Sequence, residues 1–285
     1  MELALELDRN TWYDLYQRNP IERFAEQYWK ENGIDGWEEY KTIPDRLYIG
    51  NAFCHLLFPK EEQLFALMEK AIVENMEITL VFPCMREFQV EEQGKLLKKV
   101  DNWCEKRQTR VEILVNDWGM TALVKESGKH LEPCLGVLLN KQKKDPRMRY
   151  KKGSTRGLGE SNLQADFYRT FLKDTYGITR YEWESCGYPQ VFPQGKNSLH
   201  LPYYQTNTSQ YCPLYASCTE GERGKQRLPE HCPGYCEQYA YLYSEHLHMA
   251  GRYNSLFGLD AELVKHPEKL KAYQQAGIDR LVIGL

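Results

Sequence analysis

The sequence has almost no net charge, no long apolar run and no evident internal repeat. Its 285 residues carry 37 Lys and Arg against 40 Asp and Glu, a formal charge of −3. That excludes a global attraction to nucleic acid or a membrane surface and leaves only local electrostatics. No segment approaches the roughly 18 apolar residues of a membrane span. The opening "MELALELDRN" sets acidic residues inside its apolar stretch; it lacks the basic and apolar regions of a secretory leader, and so predicts a cytoplasmic protein. Apolar residues make up 42% and charged residues 27%, which excludes disorder and fibrous architectures. Missing too are an HExxH motif and an evident Ser-His-Asp arrangement. The CxxxCxxC motif of radical S-adenosylmethionine enzymes is also absent, because after Cys232 and Cys236 the third position holds Tyr239.

Cysteine, by contrast, is plentiful: nine residues. An odd number in a reducing compartment argues against a disulfide framework and for metal binding, catalysis or core packing. Cys212, Cys218, Cys232 and Cys236 all fall within "YCPLYASCTEGERGKQRLPEHCPGYC", residues 211–236. This stretch is rich in Pro, Gly and charge and offers little to bury a thiol. The gap between Cys212 and Cys218 is wider than the tight pairs of structural zinc sites. Iron–sulfur clusters accept looser spacing and can draw a ligand from elsewhere in the fold. Cys104 and Cys134 read as core packing, while Cys84 and Cys186 could be either.

Runs of β-branched and aromatic residues at 46–51, 77–83, 111–116, 134–140, 179–184, 197–204, 252–258 and 279–284 predict strands. Helical patterns fall between most of them, at 61–74, 90–107, 119–129, 163–176, 238–249 and 261–276. Strands alternating with helices imply a parallel sheet. Eight such strands predict a TIM-type (β/α)8 barrel over 45–285, with an open doubly wound sheet as the alternative and a cysteine-rich loop at 205–237. Residues 1–44 read as a helical extension whose Trp12, Tyr13, Tyr16, Tyr28 and Trp29 pack against the barrel.

Active sites of such barrels lie at the C-terminal ends of the strands. Cys54, Cys84, Asn116, Asp117, Asn140, Lys141, Glu182, Glu184 and Cys186 all close predicted strands. Glu182 and Asp117 are the candidate proton-transfer groups, with barrel-mouth ion pairs as the simpler reading. His200, inside a strand, reads equally as a satisfied core histidine. Residues 141–156, "KQKKDPRMRYKKGSTR", hold eight Lys or Arg against one Asp. They form either a solvated loop or a local site for an anionic small molecule or RNA.

Several segments together resemble the collagenase-like peptidase family, peptidase family thirty-two of unknown mechanism, which includes the paired iron–sulfur proteins of anaerobic ubiquinone biosynthesis. They are "LYIGNAFC", "VNDWG", "LLNKQKKDPR", "SLHLPYY" with "QYCP", "CPGYC" and "YNSLFGL" with "AGIDRLVI". The resemblance spans 45–285 and rests on the order of the segments. It implies a barrel carrying a [4Fe–4S] cluster on Cys54, Cys212, Cys232 and Cys236, with Cys218 lacking a clear counterpart and zinc as the alternative metal. It further implies oxygen-independent hydroxylation of an aromatic or RNA-base substrate, and a protein partner in a heterodimer. Peptidase activity and a non-catalytic protein with a structural metal are the alternatives.

Overall fold

The computed structural model describes residues 1–32, 43–146, 157, 159–225, 227–260, 263 and 266–284. Eight parallel strands close into a TIM-type barrel: β1 (Glu2–Leu7), β2 (Arg46–Gly50), β3 (Glu77–Val81), β4 (Val111–Val115), β5 (Leu131–Leu135), β6 (Arg180–Glu184), β7 (Lys196–Leu201) and, last in the chain, β12 (Arg280–Ile283). They follow one another round the barrel in chain order, and β12 returns to pair with β1. Between β7 and β12 the chain leaves the barrel. It builds a separate antiparallel sheet from β8 (Tyr203–Thr208), β9 (Tyr241–Leu242), β10 (Met249–Arg252) and β11 (Ser255–Leu259).

The first strand corrects the expected helical extension. Residues 2–7 complete the barrel, pairing with β2 on one side and β12 on the other. Leu3, Leu5 and Leu7 join the core shared with the surrounding helices, while Ala4 packs with Tyr48, Val81, Leu114 and Val282 in a separate inner layer. Glu2 and Glu6 alternate with the leucines and so share the face of Ala4. Their acidity disguised the strand, because inward positions of a barrel are usually apolar.

α1 (Asn10–Arg18) and α2 (Ile21–Asn32) are helical as expected. Trp12, Tyr13, Tyr16, Tyr28 and Trp29 are all buried in the main core. Tyr28 Oη donates to the carbonyls of Glu6, at 3.0 Å, and Ile283, at 2.9 Å, fastening α2 to the barrel seam. The strand expected at 252–258 belongs to the outer sheet, where Tyr253, at φ 54°, turns β10 into β11. The helix expected at 238–249 is replaced by β9 and its pairing with β10, and His248 stands in the left-handed region at φ 48°.

The barrel interior is unusually ionic. Arg280 on β12 reaches across to Glu112 on β4, which lies opposite in the ring, with Nη1 to Oε2 at 2.6 Å and Nη2 to Oε1 at 3.0 Å. Arg280 also meets Glu2 at 2.6 Å, while Arg46 meets the other Glu2 oxygen at 2.5 Å. Burial pushes the Glu112 carboxyl up, but Arg280, Arg46 and Arg180 outweigh it and hold it down at about 2. Its ionised form thus stabilises the fold above the ordinary value of 4.5, and that contribution fades as pH falls towards 2. Glu112→Gln leaves buried arginines uncompensated and should cost about 3–5 kcal/mol. Urea unfolding near neutral pH checks this, with the penalty expected to shrink in acid.

Candidate functional site

Cys54 follows β2 and is placed by Asn51. The Asn51 carboxamide oxygen accepts from the amides of Phe53 and Cys54, both at 2.8 Å, while its nitrogen donates to the Asp8 carbonyl at 3.0 Å. Cys212 caps α7 (Pro213–Glu220): Tyr215 N donates to its sulfur at 3.5 Å, and its thiol donates to the Tyr253 carbonyl at 3.0 Å. The sulfur of Cys232 accepts from the Gly234 amide at 3.4 Å. Cys236 is buried beside Leu57, Leu214, Tyr253 and Phe257, and Cys54 and Cys212 pack against that same cluster.

Burial pushes the Cys54 thiol up to about 11 and Cys236 to about 12. Neighbouring sulfurs disfavour ionisation further, Cys212 and Cys232 for Cys54, and Cys54, Cys212 and Cys232 for Cys236. Cys54, Cys212 and Cys236 thus share one apolar cluster, and Cys232 lies within electrostatic reach of Cys54 and Cys236. Among the described residues no three His, Cys, Asp or Glu side chains form a ready-made ion cage; the thiols are neighbours at the edge of an apolar cluster. Their chemistry fits a thiophilic metal or cluster. The thiols come from two chain segments, and backbone amides point at the sulfurs of Cys212 and Cys232, where they would stabilise negative charge on a bound thiolate. Cys218 is exposed on α7, whereas Cys104, Cys134 and Cys186 are buried.

Phe53, Tyr253 and Phe257 join this cluster to the barrel mouth, where a cavity of about 40 Å³ is also lined by Glu6, Asp8, Glu184 and His200. Its floor is a bridge of charges. His200 Nδ1 meets Glu6 Oε1 and Nε2 meets Glu182 Oε2, both at 2.8 Å. Glu182 is fully buried and takes a further hydrogen bond from Tyr48 Oη at 3.1 Å. Tyr48 in turn accepts from Arg280 at 2.9 Å, linking the mouth to the ion network below. Asp8 accepts from Tyr253 Oη and pairs with Arg9 at 3.2 Å, and Glu184 pairs with Lys144.

Glu182 thus lies beneath the cavity, and Glu6 and His200 form the surface above it. Asp117 is not part of that lining. It caps α5 (Trp118–Ser127), its two oxygens accepting from Met120 N at 2.8 Å and Met85 N at 2.7 Å. Lys144, from the basic segment, is buried against Glu184; residues 147–156 of that segment lie outside the described residues. Glu6, Asp8 and Tyr253 escaped sequence reasoning. The first two belong to and follow the disguised strand, and Tyr253 lies in a segment assigned to the barrel. Asn51, directly after a strand and three residues before Cys54, carried a legible signal. No known family model matches the chain, and no curated protein matches it. No described helix is long and apolar enough to cross a membrane.

Burial disfavours the His200 imidazolium, but the two carboxylates outweigh burial and raise it from 6.5 to about 10. A raised value means that the ion bridge stabilises the fold fully below 6.5 and is lost as pH rises towards 10. His200→Gln should therefore cost most at the acidic end of that window and progressively less towards the alkaline end. Urea unfolding at both ends tests this, and a penalty independent of pH would mean a neutral imidazole.

Proposed function

We propose that the protein carries a [4Fe–4S] cluster on Cys54, Cys212, Cys232 and Cys236. It would act as an oxygen-independent hydroxylase, or a subunit of one, on an aromatic or RNA-base substrate, as in the collagenase-like peptidase family that it resembles. One observation carries this reading: Cys54 from the β2 loop and Cys212 and Cys236 from the segment between β8 and β9 pack on one aromatic wall that leads into the barrel mouth. The bound cluster would supply electrons or a Lewis-acidic iron.

The chain's own residues supply the rest. His200 holds a proton between Glu6 and Glu182, and Glu6 presents it at the cavity surface. Phe53, Tyr253 and Phe257 exclude water on the side facing the cysteines. At about 40 Å³ the cavity is water-sized, so a planar substrate would rest on its rim. Hydrolysis by a histidine-activated nucleophile is disfavoured, because both nitrogens of His200 are committed to carboxylates.

Anaerobic purification with visible spectra and iron, sulfide and zinc analysis tests the proposal. Wild type should hold about four irons and four sulfides per chain. Alanine at Cys54, Cys212, Cys232 or Cys236 should abolish or sharply lower that content, and Cys218→Ala should retain it. Colourless protein with one zinc would replace the redox reading by a structural metal.

A further inference from the structure

α6 (Asp166–Tyr176) buries Leu172 against the barrel, and its outward face is aromatic where a surface helix ordinarily carries charge. Phe167 is 78% exposed, Phe171 44% and neighbouring Trp118, at the start of α5, 43%. Phe171, Trp118 and Tyr176 hold one another, with ring centroids 5.7 Å apart for Phe171 and Tyr176, 5.9 Å for Trp118 and Tyr176, and 6.5 Å for Trp118 and Phe171. Phe167, Thr170, Phe171 and Asp174 follow the spacing of a single helical stripe. Exposed aromatic side chains grouped in this way on one helix mark an interaction site.

We propose that this face is the self-association surface of a two-fold homodimer, with two α6 helices meeting antiparallel. The charges beside the stripe indicate a second copy as the occupant. Asp166 and Lys173 are seven residues apart and so lie on the same flank of the helix. An antiparallel two-fold keeps that flank in common and reverses its direction. Each Lys173 then stands beside the partner's Asp166, so one face complements itself, as an isologous interface requires. Asp166 already accepts from Arg169 of its own chain, but its side chain is 90% exposed and open to a second donor. Lys173 is exposed as well. The aromatic centre supplies the affinity and the charges fix the register. The proposal is independent of the cysteine site.

Sedimentation velocity on the full chain, over a range of concentrations at low ionic strength, should show a monomer–dimer equilibrium. Phe167→Glu and Phe171→Glu, both at exposed positions, should weaken the dimer by about tenfold or more. Asp166→Lys and Lys173→Asp each set like charges opposite one another and should weaken it too. Mixing these two variants in equal amounts restores both ion pairs and should restore the dimer. Circular dichroism verifies that each variant is folded. A wild type that stays monomeric throughout, a dimer indifferent to both phenylalanine variants, or a mixture that fails to recover would each overturn the proposal.

Discussion

The fold depends on charge being matched inside the barrel. A barrel interior normally closes with layers of branched apolar side chains. Here Ala4, Tyr48, Val81, Leu114 and Val282 form one thin apolar layer. Below it lie Glu2, Arg46, Glu112 and Arg280, and above it Glu6, Glu182 and His200. Tyr48 connects the two groups, donating to Glu182 and accepting from Arg280. Ionised groups removed from water are tolerated only when paired and hydrogen-bonded. Each strand must therefore keep its register for its neighbour's charge to be satisfied, and that requirement also fixes His200 and Glu6 at the mouth.

The outer sheet is tied to the same framework. Tyr253 Oη donates to Asp8, just beyond β1, while its backbone carbonyl receives the Cys212 thiol. Asn254 donates to the Phe53 carbonyl at 2.9 Å, directly beside Cys54. A two-residue turn thus joins the barrel, the β2 loop and the cysteine-bearing segment. The thiols come from distant parts of the sequence, yet their positions are coupled through Asp8, Asn51, Tyr253 and Asn254. The barrel and the cysteine-bearing segments therefore share one set of hydrogen bonds.

The barrel was legible because seven of its strands fall on or overlap apolar or aromatic runs, most of them separated by helical patterns, as "EITLVFP" and "VEILVN" show, although the strand expected at 134–140 is shifted to Leu131–Leu135. The eighth was hidden because Glu2 and Glu6 serve the ion network, and nothing in "ELALEL" announces where Arg46, Arg280 and His200 will stand. The outer sheet was hidden for a different reason. Its strands are short, and pairing such as Gly251 with Leu256 is set by tertiary context that a local pattern does not contain. The cysteines could be singled out by spacing and by a lack of apolar cover. The packing of Cys212 and Cys236 with Cys54, and the place of Glu6 in the mouth, depended on contacts between segments far apart in the chain.

Charge at the mouth limits what it can favour. Four carboxylates, Glu6, Asp8, Glu182 and Glu184, face three cations, His200, Arg9 and Lys144. The balance is one negative charge, and each cation is already held by a carboxylate. Lys144, part of the basic segment that the sequence offers as a solvated loop or an anion site, is held by Glu184 beneath the surface. An anionic group at this opening would meet no free cation among these residues and would lose its own hydration. Phe53, Tyr253 and Phe257 line the same opening on the side facing the cysteines, so its wall sets apolar rings beside charges that are already matched.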